Sequence, residues 1–244
     1  MIEVSIVTPT YNRREFIPSL IQIYCSQTFP KEKMEWIILD DGRDKVGDLF
    51  MEAAKTIPNI RYLTHDEKMR IGAKRNQLNK EAKGAIIIAM DDDDFYPPDR
   101  VDHVVKEFKK NPNIDLAGSS EMHLWYMDTQ KIHIVGPYHQ RHATNGTMAW
   151  RKRYSDTHRY DEYITHGEES SFLEGYKHPM IQLTPKKTIL VICHDSNTFD
   201  KMKMRQENVS HPSAMRESSF SLEHWVKDPS LREFYYNLKH RNRD

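Results

Sequence analysis

The sequence predicts an α/β fold built on a doubly wound, mostly parallel sheet. Three observations predict it. Short apolar, β-branched runs alternate with amphipathic stretches of helical spacing through the first hundred or so residues, and such strand–helix repeats imply right-handed parallel crossovers. Polar groups fall at the carboxyl ends of the predicted strands, where an open α/β sheet forms its ligand crevice. The apolar run Ala85–Met90 closes on four consecutive acids, Asp91, Asp92, Asp93 and Asp94. Four adjacent carboxylates repel one another, and away from water only a cation or strong hydrogen bonding makes them tolerable.

The elements follow in order. Val4–Thr8 reads as the first strand, and its loop leads to a helix whose apolar face is Phe16, Ile17, Leu20, Ile21 and Tyr24. Trp36–Leu39 is the second strand, ending in Asp40-Asp41-Gly42, with a helix at about Asp48–Lys55. Arg61–Thr64 is a short third strand. A helix over Ile71–Lys83 is expected to end at Gly84 as a C-cap glycine. The fourth strand runs into the aspartates. Pro97-Pro98 opens the next helix, with Val101, Val104, Val105 and Phe108 inward.

Past Asp115 the texture changes to short strand-like pieces at Leu124–Tyr126, Ile132–Val135, Thr147–Trp150 and Thr188–Ile192, with a helix over Glu168–Tyr176. This predicts a mixed second subregion covering the open edge of the first. Residues 202–219 read as a polar loop, and two helical patterns end the chain. The organisation expected is 1–115, 116–200 and a C-terminal loop and helical extension over 201–244.

Composition narrows the function. Lys plus Arg and Asp plus Glu both number 36, so there is no net positive field to draw in nucleic acid. Cys25 and Cys193 are too few for a disulfide framework or a thiolate zinc site, and their apolar or small neighbours predict buried free thiols. No basic n-region precedes an apolar core at the N-terminus, and no apolar run approaches the ~20 residues of a membrane span. A cytoplasmic protein without an integral membrane segment is expected. The C-terminal helices are read as docked on the body, with peripheral membrane contact the alternative. Two glycosylation sequons, at Asn145 and Asn208, are read as chance matches.

Three stretches carry a resemblance: Ser5–Arg13, Ile37–Gly42, and Gly72–Asn76 running on through Gly84 to Asp94. Their order and spacing resemble the GT-A fold nucleotide-diphospho-sugar glycosyltransferases, most closely family 2. The resemblance is close through the aspartates, loose in the next part and absent from the C-terminal stretch. It implies a GT-A fold with an acceptor-side subregion, and transfer of a sugar from a UDP-, GDP- or TDP-linked donor to a glycan, glycoprotein or lipid-linked acceptor.

Residue roles follow from the same resemblance. The loop of Thr8, Pro9 and Tyr11 implies nucleobase contact, with Tyr11 stacking and Thr8 hydrogen-bonding; Asp41 implies pairing with a base N–H. Arg70 resembles an arginine near the base or diphosphate. Asp93 falls at the metal-binding position of a DXD-type motif, and Asp91 and Asp92 nearer the ribose and metal. A leaving nucleoside diphosphate gains charge, which a hard divalent cation, Mn²⁺ or Mg²⁺, stabilises through carboxylate ligands. His194 is a candidate third metal ligand or diphosphate contact. An acceptor hydroxyl also needs a general base. Glu169 aligns with the family's acid, with Glu168 the alternative because Glu is one methylene longer than the usual Asp. His166 is a candidate acceptor or donor contact. Trp125, Tyr126 and Trp150 read as core, with a sugar-facing platform the alternative.

The reading is an inverting, metal-assisted single displacement. A nucleotidyltransferase or pyrophosphorylase is the rival, but the first loop lacks the Gly-rich, basic phosphate cradle of that class. A catalytically dead sugar-nucleotide-binding module is the non-enzymatic alternative.

Overall fold

A computed structural model describes residues 1–164, 167–195, 197, 200–208 and 215–238. The first half forms β1 (Val4–Thr10), α1 (Ile17–Ser26), β2 (Met34–Asp40), α2 (Gly47–Ala53), β3 (Ile60–Thr64), α3 (Ile71–Glu81), β4 (Ile86–Ala89) and α4 (Arg100–Lys110). The second adds β5 (Leu116–Gly118), β6 (Met122–Tyr126), β7 (Lys131–Val135), β8 (Ala149–Arg151), α5 (Lys152–Ser155), α6 (Glu169–Phe172), β9 (Met180–Gln182), β10 (Leu190–Cys193), α7 (Lys201–Asn208), β11 (Met215–Glu217), α8 (Leu222–Trp225) and α9 (Pro229–Tyr236).

The main sheet has the order β3-β2-β1-β4-β8-β5-β9. β1 pairs in parallel with both β2 and β4, and β2 with β3; β8 runs antiparallel between β4 and β5. Both faces are covered, which is why the strands read as unbroken apolar runs. Val4 and Ile6, Trp36 and Ile38, and Ile86 and Ile88 pack with α1, α2 and α4. Val7, Ile37, Leu39, Ile87 and Ala89 face Leu78 of α3 and Phe172 of α6. The predicted second subregion therefore splits. β5, β8 and β9 extend the main sheet, while β10-β6-β7-β11 form a smaller sheet joined to it by the Phe95–Leu190 bridge. Trp125, Tyr126 and Trp150 are buried, which makes them core. α8 and α9 dock on the body: Leu222, Trp225, Val226, Leu231 and Tyr235 are buried, and Phe234 meets Phe16 edge-on at 5.6 Å.

Several expectations are corrected. α3 stops at Glu81 with an extended Ala82, so Gly84 is not its C-cap. A Cβ on Gly84 would lie 2.6 Å from Ser5 N and 2.7 Å from Val4 C, so glycine is needed for close passage against β1. Gly84→Ala is expected to destabilise the fold by roughly 1–3 kcal/mol through overpacking, read as a lower urea midpoint with unchanged slope. α4 begins at Arg100, after the proline pair. The Glu168–Tyr176 helix shrinks to one turn, because the backbone turns left-handed at Glu174, Gly175 and Tyr176. Residues 202–219 hold most of α7 and all of β11 instead of a loop; Met202 and Met204 rest on the core at a spacing without helical period. Cys193 is buried as expected, but Cys25 is exposed at the end of α1.

Candidate active site

Strand order reverses between β1 and β4, so the crevice of a doubly wound sheet opens at their carboxyl ends. The acid run leaves β4 there. The loop after β1 brings Arg13, whose Nη2 lies 3.7 Å from Asp93 Oδ2 and whose Nε lies 3.9 Å from Asp92 Oδ1. The Phe95–Leu190 bridge draws the end of β10 alongside. His194 Nε2 then sits 3.1 Å from Asp93 Oδ2, and Asn197 Nδ2 donates to the same oxygen at 3.2 Å. His194 is buried against the Phe16 ring, and its backbone N–H donates to Asn197 Oδ1 at 2.8 Å.

The four aspartates are not equivalent. Burial pushes the Asp93 carboxyl up, but the His194 hydrogen bond and the charges of His194, Lys201 and Arg13 hold it well below the usual range. Burial, with Asp93 next to it, pushes Asp92 up to about 8. Asp92 Oδ2 is buried without a hydrogen-bond partner among the described residues. Asp94 turns inward, accepts from Ile192 N at 2.8 Å, and is pushed up to about 7 by burial. Asp91 lies at the rim and accepts from Arg75 Nη1 at 3.2 Å. Asp93 and His194 meet directly, a carboxylate and an imidazole of the kind a divalent cation takes, and Asp92 Oδ2, next along the chain, is buried without a hydrogen-bond partner among the described residues.

Arg75 ties this run to the second acid pair. It projects from α3, is buried, and donates through Nε to Glu168 Oε1 at 2.8 Å. With the Asn145 amide oriented to satisfy its neighbours, Asn145 O accepts from Arg75 Nη1 at 2.7 Å and its nitrogen donates to Tyr160 Oη at 2.6 Å. Burial opposes the guanidinium charge, but Asp91 and Glu168 more than restore it. Glu169 follows Glu168 in the first turn of α6 and makes no ion pair among the described residues. Burial, then the Glu168 charge, raise its pKa.

The third group surrounds the end of β2. Asp41 is buried, accepts from Met69 N at 2.6 Å and is ion-paired with Lys74, which also donates to Thr10 O at 3.0 Å. Tyr11 is half-buried, with Lys68 Nζ 4.4 Å from its ring centre. Arg70 is exposed and donates to Tyr163 O at 3.0 Å. Pro9 is buried in β1 opposite Leu39. Thr8 is corrected: it is fully buried, its hydroxyl donates to Met90 O at 2.7 Å and accepts from Trp36 Nε1 at 2.9 Å, so it is not displayed to the crevice. His166 lies outside the described residues.

Sequence reasoning missed Arg13, Lys74, Arg75, Asn145 and Asn197. A signal existed for the α3 pair. That helix has few apolar residues, so Lys74 and Arg75 share its inward side with Leu78 and Asn79. A helix that packs while lacking an apolar face must bury charge.

Comparisons with known proteins bear on the family and the fold. The model of the family "Glycosyl transferase family 2" matches residues 5–205. A chondroitin synthase of Escherichia coli is 28% identical over 230 residues, covering 84% of this chain and 31% of that protein. The chain spans about a third of the length of the curated relatives it matches first. A mannosyltransferase of Pyrobaculum calidifontis, solved with GDP-Man and Mn²⁺, superposes with a TM-score of 0.64 at 14% identity, covering 80% of this chain and 58% of that one. S. aureus TarS 1-349 with UDP-GlcNAc gives a TM-score of 0.65 at 16% identity over 96% of this chain and 71% of that one. The fold is GT-A.

Proposed function

We propose, from the premise that this chain belongs to glycosyl transferase family 2, that it moves a sugar from a nucleoside-diphosphate donor to an acceptor hydroxyl with inversion, using Glu169 as general base. The observation that carries this reading is the reach of one guanidinium: Arg75 contacts both Asp91, at the end of β4, and Glu168, at the start of α6. The same crevice therefore holds an acid run suited to a cation and a half-buried glutamate suited to a proton.

Asp93 and His194, with Asp92, would hold a divalent cation, Mn²⁺ or Mg²⁺, which when bound offsets the charge growing on the leaving diphosphate. Tyr11, with Asp41 held in place by Lys74, lines the base end. Arg70, exposed at the start of α3 and donating to Tyr163 O, would contact the base or diphosphate from that side. Arg13 adds positive charge beside the diphosphate. Glu169 takes the acceptor proton as the hydroxyl attacks the anomeric carbon, while Glu168, held by Arg75, positions α6. Glycans are the acceptors proposed, since the chondroitin synthase relative is named for a glycan. Among the described residues no helix is long and apolar enough to cross a membrane.

Thermal shift tests the donor site. UDP, GDP, TDP, CDP and ADP are each added with and without Mn²⁺; a ligand that binds only the folded state raises the midpoint. One base is expected to give a metal-dependent shift that Asp93→Asn abolishes. The absence of a metal-dependent shift with every base overturns the donor-site reading.

A further inference from the structure

We infer that His158, Glu174 and His178 form a second metal site, for a zinc-type transition ion, that clamps the short helix carrying Glu168 and Glu169. Their ligand atoms all lie within 4.8 Å of one another. His178 Nε2 is 3.1 Å from Glu174 Oε2, and His158 Nε2 is 3.8 Å from Glu174 Oε1. Bonds of about 2.0–2.1 Å to a tetrahedral Zn²⁺ set neighbouring ligand atoms about 3.3 Å apart; His178 approaches one Glu174 oxygen and His158 the other, so a small shift of the half-exposed carboxylate brings one oxygen to that spacing from both rings. A plain Glu174–His178 hydrogen bond leaves the approach of His158 to the same carboxylate without a reason.

The second ring nitrogen of His158 supports the assignment. Nδ1 lies 3.0 Å from the Tyr154 carbonyl oxygen, which can only accept. Thr157 Oγ1 lies 2.9 Å from the same nitrogen and itself donates to the Tyr154 carbonyl at 3.2 Å; the tautomer with the proton on Nδ1 fits both oxygens as acceptors, and it is the one that leaves the Nε2 lone pair toward Glu174 for a metal. The ring is further fixed by stacking on Tyr154 at 3.9 Å and 2°. His178 stands nearly perpendicular to His158 with ring centres 5.0 Å apart. Two imidazoles and one carboxylate suit Zn²⁺ better than the hard cations Mg²⁺ or Mn²⁺, and leave one position for water. The side chains of His158, His178 and Glu174 are 21%, 32% and 49% exposed, so an ion enters without unfolding.

The link to the catalytic crevice runs through Tyr154. Its hydroxyl donates to the carbonyl of Phe172, the last residue of α6, at 2.8 Å. A metal joining the chain just after α5 to the turn just after α6 restrains the helix that carries the acid pair from both its packing partner and its exit.

The test uses the tag-free full chain, stripped with chelator, in saturating Mg²⁺ to occupy hard oxygen sites. Co²⁺ is titrated while its visible absorption is followed, then displaced with Zn²⁺. One equivalent with a four-coordinate spectrum is expected. His158→Gln, His178→Gln and Glu174→Ala should each weaken it by more than the roughly 10–100-fold that loss of an outer partner costs, and Asp93→Asn should leave it intact. Binding that survives all three substitutions, or vanishes in Asp93→Asn, overturns the site. Glu174 is half exposed, so Glu174→Ala remains informative if a histidine variant does not fold. Hydrogen exchange at residues 169–178 should slow with Zn²⁺ in the wild-type chain; unchanged exchange overturns the clamp.

Discussion

Glu169→Gln is expected to lower kcat by about 10²–10⁴-fold, the usual contribution of a positioned general base, while nucleoside-diphosphate binding is retained. The choice between adjacent glutamates rests on their partners. Glu168 accepts a hydrogen bond from the buried Arg75 guanidinium at 2.8 Å and is buried itself, so one of its oxygens is already taken up in holding α3 against α6. Glu169 has no such ion pair among the described residues, and burial and the Glu168 charge raise its pKa. The groups facing it are Glu168, Arg75 and Asp91, with Tyr160 and Tyr176 close enough to feel its charge. Of these only Arg75 favours its ionised form.

The sign of the pH effect follows. A base works only deprotonated, so kcat/KM should fall with acid along a limb lying above the ordinary glutamate range. Stability runs the other way. A carboxyl whose folded pKa is raised contributes stability that is fully present below its unfolded pKa and lost as pH rises through its folded pKa. Glu169→Gln should therefore be no less stable than the parent at neutral pH, which separates lost chemistry from lost folding. Normal turnover by this variant would remove Glu169 from the role.

Much of the first half was legible because its strands are apolar on both faces and its helices carry a clear stripe, as Val101, Val104, Val105 and Phe108 do. The acid run was legible for a related reason: a buried strand must deliver it to the sheet's edge. Partners distant in sequence were not. Glu168 and Arg75 are 93 residues apart, and Asp93 and Asn197 are 104 apart; no local period announces such pairs. β5, β9 and β11 were missed because three residues are too few to show alternation, and each is held by its neighbours in the sheet. Gly84 was recognised as necessary, but for a helix end instead of a backbone contact, since sequence shows the glycine and not what approaches it.

Arg75→Met is expected to cost about 3–5 kcal/mol, the range for removing one partner of a buried ion pair, and to abolish turnover. Methionine fills much of the volume but supplies no donor. Glu168 loses its 2.8 Å partner, Asp91 its 3.2 Å partner, and Asn145 its 2.7 Å donor. The penalty is the burial of Glu168 and the Asn145 oxygen with nothing to offset it, so it should shrink when the stranded charge is also removed. Urea unfolding of Arg75→Met, Glu168→Gln and the double variant closes that cycle. The double variant should recover part of the loss, whereas Arg75→Lys should recover little, because an ammonium cannot span the carboxylates and the amide from one plane. Turnover should fall in every member of the cycle, including the recovered one, because the same guanidinium sets the distance between the acid run and α6. A fully active, stable double variant would mean that Arg75 only neutralises charge and that α6 is held by other contacts, Tyr154 to Phe172 first among them.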